Sequence, residues 1–274
     1  MIKDNINKPV LTFIIPIRHP DNAPNWNVTI DNLGQTIRSI ANQTLSSWQC
    51  IIVVNEGVVI PNLPENFDVC YVNLPPNILH RQGDSTLEEF RDAVRLDKGR
   101  RILAGLYYKP TIDFFMVVDD DDFIHNELVS YVSENSTENG WFIDKGYIWN
   151  DKGCYLYKNY SFNMLCGTSH IVRKKLLNLP IDIKKVSTQE IKDLLGSHVR
   201  LKNILDEAET PLLPLPFFGS VYRIGNIDGH SQTPSIFKAF ILKKKIILNP
   251  LLLLRHLSKL RILNKKKKKM FGFI

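Results

Sequence analysis

Hydrophobic positions along this chain follow two rhythms that alternate. Residues 10–17 (VLTFIIPI) are β-branched and almost wholly apolar, and they stop at the turn residues Arg18, His19 and Pro20. That is the pattern of a strand buried on both faces of a parallel sheet. Residues 31–42 then place Leu33, Ile37 and Ile40 at helical spacing. A second apolar strand is expected over 48–54, closing on Asn55-Glu56-Gly57, and a short third over 68–72. Residues 87–109 read as mostly helical, with an interruption at Lys98-Gly99, and lead into an apolar strand that begins at Phe114. Strand, helix, strand, strand, helix, strand predicts a Rossmann-like α/β unit, with a mixed, mostly parallel sheet flanked by helices.

After residue 124 the rhythm changes. Residues 125–133 predict a short helix, and the aromatic alternation through 141–162 (Tyr147, Trp149, Tyr155, Tyr157, Tyr160) predicts antiparallel strands or a hairpin. Residues 187–209 predict one helix, with Ser187 as its cap and Glu190 at the box position. A Pro/Leu connector follows over 211–216, and 221–224 is expected to be the last strand. The end of the chain, 234–274, is different again. Its apolar run, 246–254, is broken by Pro250 and is shorter than the roughly 20 residues a membrane span needs. It reads either as a basic amphipathic segment lying on an anionic membrane surface or as a helix packed on the body before a Lys-rich end, and its charge favours the membrane surface.

Composition changes this picture in two places. The formal net charge is +7, yet from Lys238 onward there are only Lys and Arg among the charged residues. The body is therefore close to neutral, which argues against a nucleic-acid-binding surface. Cys50, Cys70, Cys154 and Cys166 form no paired spacing, so reduced thiols and a cytoplasmic location are expected, with no signal peptide in the polar opening.

The candidate chemistry lies where Phe114-Phe115-Met116-Val117-Val118 runs into Asp119-Asp120-Asp121-Asp122. Four adjacent acids at the exit of a buried strand repel one another. A hard divalent cation, Mn²⁺ or Mg²⁺, removes that repulsion at the carboxyl end of a strand, where ligands of open α/β sheets sit. A solvated acidic turn capping a helix from Asn126 is the structural alternative.

The order of these pieces resembles the nucleotide-sugar-dependent glycosyltransferases of the GT-A fold, and within them the large family 2 group. The resemblance covers about residues 9–232. It rests on a strand followed by Pro (Phe13-Ile-Ile-Pro16), a Ser-x-x-x-Gln helix end (Ser39 to Gln43), a Trp-led strand (from Trp48), and the acidic motif Asp119-Asp120-Asp121 with Asp122 beside it. It implies a domain over 1–233, with a nucleotide-sugar-binding half at 9–124, an acceptor-side half at 125–233, and the basic tail at 234–274.

It also implies roles. Asp119, Asp121 and Asp122, with His230 after the last strand, would hold the metal, although His230 is equally an ordinary turn histidine. Pro16, Arg18, Arg81, Lys98, Asp119, Asp120 and Gly167 would border the donor. Lys98 would meet the diphosphate, and Arg100 and Arg101 either join it or are surface charges. Asn55 and Glu56 stand where the family carries the acids that hold the base.

The family's Glu-Asp at the late helix, whose Asp is the general base, is Ser197-His198 here. His198 is thus either the base or a phosphate or acceptor contact, and Asp193 and Glu190 are its competitors. The expected donor is a UDP-sugar. The expected acceptor is a surface glycan or lipid-linked glycan, met at the inner face of the cell membrane. Two rivals remain: a membrane-associated nucleotide-sugar-binding or assembly subunit without catalysis, and a sugar nucleotidyltransferase. The second is disfavoured because the loop after the first strand has no glycine.

Overall fold

The computed structural model describes residues 8–109, 111–225 and 235–273. β1 (Leu11–Pro16) lies in a seven-stranded sheet between β2 (Trp48–Asn55) and β4 (Phe114–Val117), with β3 (Phe67–Val72) at the edge beyond β2. These four strands are parallel, in the expected register of an α/β unit. On the other flank β4 meets β9 (His170–Arg173) antiparallel, then β6 (Gly140–Phe142) and β10 (Leu213–Pro214). The fold is therefore α/β with a mainly parallel sheet flanked by helices, as the pattern predicted.

Alternate residues of β1 serve opposite faces, as strand geometry requires. Phe13 and Ile15 pack with Leu33, Ile37 and Ile40 of α1 (Trp26–Ala41). Ile14 packs with Ile102, Leu103 and Leu106 of α2 (Leu87–Tyr108). α1 starts earlier than its apolar spacing predicts because the Asn25 side chain accepts from the backbone N–H groups of Asn27 and Val28.

α2 is not interrupted at Lys98-Gly99. Instead, Gly99 is where another segment crosses it: a Cβ there would lie 2.5 Å from the Ile191 carbonyl oxygen. The crossing segment is the one expected to form a single helix over 187–209. Ser187 and Glu190 do form the capping box, but only α4 (Thr188–Glu190) and a π turn over Ile191–Leu195 follow. The chain then breaks at Gly196, whose missing Cβ would land on the Arg95 carbonyl of α2, and restarts under a Ser197 cap as α5 (His198–Glu207).

A second sheet of five strands carries β5 (Phe123–Ile124), β11 (Ser220–Ile224), β7 (Gly146–Asn150), β8 (Tyr155–Asn159) and, at its far edge, β12 (Leu260–Ile262). β7 and β8 are the expected hairpin, whereas β6 belongs to the first sheet. The helix expected from 125 begins three residues later, as α3 (Leu128–Glu134).

β11 is not the last strand, because the chain's end is built into this sheet. β12 pairs antiparallel with β8, and α9 (Lys265–Phe271) follows. Phe271 is fully buried, and Phe273 stacks on Phe123 with ring centroids 4.1 Å apart. The Met270 carbonyl accepts from Asn126 N–H, and the Lys269 carbonyl from the Asn42 side chain at 2.7 Å. The lysines of α9 thus sit on a backbone anchored by its aromatic residues.

Candidate functional site

β4 delivers the four acids to the carboxyl end of the sheet, beside Pro16 and the loop that follows β1. The Asp119 N–H donates to the Thr168 hydroxyl at 2.9 Å, and its carboxylate accepts from Lys98 Nζ of α2 at 2.5 Å. Gly167 makes this pairing possible, since a Cβ there would stand 2.9 Å from Lys98 Nζ and 3.1 Å from Asp119 Oδ2. Burial pulls the Lys98 pKa down. The Asp119 charge and hydrogen bond outweigh that, so the ammonium stays above its ordinary value.

A cavity of about 210 Å³ opens in front of these groups. Pro16, Arg18, Lys98, Asp119, Asp120 and Asp121 line it, joined by Asn22, Asn77, His80, Asp97, Arg101, Tyr222 and Arg223. Asn22 and Asn77 fasten its rim to each other: the Asn22 side chain donates to the Asn77 carbonyl at 3.0 Å and accepts the Asn77 N–H at 2.7 Å.

The four carboxylates differ in what compensates them. Asp122 is fully buried and turned into the protein, accepting from Cys166 Sγ at 3.1 Å and Arg223 N–H at 3.2 Å. Burial first, and the Asp119 charge second, push its pKa up to about 7. It is not part of the cavity wall, unlike Asp119 and Asp121, and its oxygens accept from protein donors.

Burial also raises Asp120, against the nearby Arg18 charge. Asp121 is pushed well above the carboxylate range by burial and then by the charges of Asp122, Asp120 and Asp119. The group opposing this shift is Arg223, a buried guanidinium that donates to the side chains of Asn32 and Gln35 and lies over the rings of Phe123 and Trp149, 5.1 Å from each centroid.

Among the described residues, no three His, Cys, Asp or Glu side chains converge as a ready-made metal nest. The donor set still fits a hard cation. Asp119 and Asp121 line the cavity, and Mg²⁺-type ions are commonly held by one or two carboxylates plus water or phosphate oxygens. His230 lies outside the described residues.

Four other expected site residues, Asn55, Glu56, Arg81 and Asp193, lie off the cavity wall. Asn55 is buried behind the cavity and wholly engaged: its side chain donates to the Leu74 carbonyl at 2.6 Å and accepts from Arg101 Nη1 at 2.7 Å. Arg101, buried and paired with Asp97 at 3.1 Å, is the group that reaches the cavity. Glu56 and Arg81 are exposed and lie outside the cavity wall. Asp193 is drawn into a surface charge network, accepting from Arg200 at 2.7 Å and Gln189 at 2.7 Å, away from the acids.

His198 lines a separate, narrower cavity of about 30 Å³ that shares Lys98 with the first and has Gly167 and His170 in its wall. The Nε2 atoms of His198 and His170 are both buried and have no hydrogen-bond partner. The Ser169 hydroxyl donates to the Cys166 carbonyl at 2.6 Å, so at 3.0 Å it accepts from His170 Nδ1–H, which leaves His170 Nε2 as a bare acceptor. Burial, then the Lys98 charge, lowers His198 to about 4. Burial, then His198, lowers His170 to about 3. Both rings are therefore neutral at pH 7.

Sequence reasoning missed Asn22, Asn77, His80, His170, Tyr222 and Arg223. Only Arg223 carried a signal, as a charged residue in the apolar phase of its strand, two positions after Val221.

No protein-family model matches the chain, and no curated protein matches it. Among solved structures, S. aureus TarS 1–349 in complex with UDP is 13% identical, with a TM-score of 0.46 over 78% of this chain. The same protein in complex with UDP-GlcNAc is 13% identical, with a TM-score of 0.45 over 91% of this chain and 72% of that one. A Mycobacterium tuberculosis protein in complex with manganese is 10% identical, with a TM-score of 0.34 over 78% of this chain and 91% of its own. The chain spans 60% of the length of the UDP-bound TarS structure. Likenesses this distant leave the site residues to be judged on their own geometry.

Proposed function

We propose that the chain is a metal-dependent glycosyltransferase that moves a hexose from a nucleoside diphosphate sugar, a UDP-sugar, to a surface-glycan or lipid-linked acceptor at the cytoplasmic face of the membrane. One observation carries this reading: a cavity at the carboxyl ends of β1 and β4 sets Asp119, Asp120 and Asp121 against the cations Lys98, Arg18 and Arg101. Carboxylates suit a divalent ion, and the cations suit the phosphates that ion would accompany. Asp119 and Asp121 would hold Mn²⁺ or Mg²⁺, and the metal would supply a Lewis acid for the departing diphosphate.

The protein's own residues do the rest. Lys98, fixed on Asp119, places one positive charge beside the leaving group. Gly167 lets ligand and backbone approach closely. His198, neutral at pH 7, is the candidate proton acceptor, because Asp193 is committed to Arg200. The test is incubation with Mn²⁺ and a panel of nucleotide sugars, following nucleotide release with and without lipid-linked glycan acceptors. Release of one nucleotide that requires metal and is abolished in Asp121→Ala is the expected result. No metal-dependent binding of any donor would remove the assignment, and donor binding without turnover on any acceptor would favour a binding subunit.

A further inference from the structure

The surface formed by the chain's end is unlike the rest of the molecule. Among the described residues 235–273, Lys or Arg occupies twelve positions and Asp or Glu none. Within this stretch α8 (Pro250–Leu257) buries none of its residues, although five of its eight are leucine. Leu251 is 80% exposed and Leu254 is 63% exposed. Leu248, just before the helix, and Ile262 on β12 are exposed as well. Beside this ridge is an open hollow of about 690 Å³ whose wall includes Arg255, Lys259, Arg261, Tyr160 and Ser161.

The ridge is held by contacts on its other side. The Tyr157 hydroxyl hydrogen-bonds His256 Nδ1 at 2.7 Å, and the Tyr157 ring stacks on Phe240 of α6 (Ile236–Phe240) at 4.8 Å. An apolar ridge rimmed by cations, on a stretch whose described residues hold no Asp or Glu, is complementary to one partner above others.

We infer that α8 and the basic hollow beside it form a docking surface for an anionic lipid bilayer, with leucines entering the interface and Arg255, Lys259 and Arg261 meeting lipid phosphates. Charge complementarity selects this occupant. A second copy of the chain seated on the same face would set two cation-rich rims against each other. No helix among the described residues is long and apolar enough to cross a membrane, so the contact is superficial. β12 ties the surface to β8, and the same five-stranded sheet ends at β5, immediately after the acids. A lipid-linked acceptor at the bilayer would thus meet a protein whose docking face shares a sheet with β11, the strand that brings Tyr222 and Arg223 to the cavity wall. The inference itself stands apart from glycosyl transfer, because bilayer binding is read without donor or acceptor.

The test is flotation of the full chain with phosphatidylcholine vesicles, with and without phosphatidylglycerol. Binding is expected only to the anionic vesicles. It should weaken as salt rises from about 0.1 M to about 1 M and the Debye length shrinks from about 10 Å to about 3 Å. Leu251→Ser with Leu254→Ser should lower partitioning about tenfold without moving the melting temperature, since both side chains are exposed. Arg255→Glu should lower it at least about fivefold.

Inorganic phosphate should not compete. Full competition by phosphate would make the hollow a free-anion site and overturn the inference. So would absence of binding to anionic vesicles, or binding that is indifferent to the leucine pair. Lipid-free self-association lost in the leucine variant would assign the face to a second copy instead.

Discussion

Replacing Lys98 by Met keeps the aliphatic stem and removes the charge that meets Asp119 at 2.5 Å. Two unit charges at that distance attract by about 7 kcal/mol at an effective dielectric of about 20. That is a ceiling. The Lys98 and Asp119 side chains are 27% and 29% exposed, and water both screens the pair and reduces what desolvation takes back. A net loss of about 2 kcal/mol in metal-free buffer is the reasoned value, below the 3–5 kcal/mol typical of breaking a fully buried pair.

Urea unfolding with a chelator present measures it, with Asp119→Asn and the double variant closing a cycle. Asp119→Asn also relieves repulsion within the acidic run, so Lys98→Met should cost much less in that background. Mn²⁺ should then stabilise Lys98→Met more than the parent, because a cation that takes over from the ammonium binds the folded state alone. A coupling below about 0.5 kcal/mol, or equal Mn²⁺ stabilisation of both proteins, would refute the view that Lys98 holds the acids together.

The buried histidines carry one part of the pH dependence of stability, opposite in sign to that of the Asp122 carboxyl, whose raised pKa favours the folded state as pH falls. Their folded pKa values lie below the free value, at about 4 for His125 and about 3 for His170, so their contribution is complete above pH 6.5 and is lost as pH falls towards those values. Between pH 7 and pH 5 each should cost about 2 kcal/mol in urea-derived stability, and His125→Gln or His170→Gln should remove its share of that difference; an unchanged difference would count against buried neutral imidazoles. Gly196→Ala drives a methyl onto the Arg95 carbonyl and should destabilise by about 2 kcal/mol or more, read as a lowered urea midpoint. Phe271→Ala empties a fully buried site where the ring meets His125 and Tyr147, and a loss of about 3–5 kcal/mol is expected from the same assay.

The parallel half of the fold was legible because strands buried on both faces write themselves as unbroken apolar runs, and 10–17, 48–54 and 114–118 are three of these. Glycine was not legible in the same way. Lys98-Gly99 looked like a helix break and is a helix crossing, while Gly196 looked like a helix interior and is the break. Composition along the chain cannot distinguish a glycine that bends its own segment from one that admits another, because the second depends on an element 90 or more residues away. Separation along the chain likewise hid Arg223 and Asn22. Their partners, Asn32, Gln35 and Asn77, are brought to them only by the fold. The packing of the chain's end is hidden for a related reason: Lys265 to Lys269 are all charged, and the anchors that hold them are Met270, Phe271 and Phe273 immediately after.

The acidic run shows how far a motif and its surroundings can divide the same task. As a string, four carboxylates ask for a large compensating charge. In the fold, Asp119 already has Lys98, and Asp122 already has the Arg223 N–H and the Cys166 thiol. Asp120 feels Arg18, and Asp121 faces a guanidinium that burial itself weakens. A divalent ion held by Asp119 and Asp121 would therefore share Asp119 with Lys98. The cations that make this division possible come from the loop after β1, from α2 and from β11. Arg18 and Lys98 are also among the groups that would face a diphosphate on the proposed reading, so the same two cations would restrain the acids before binding and meet the phosphates after it.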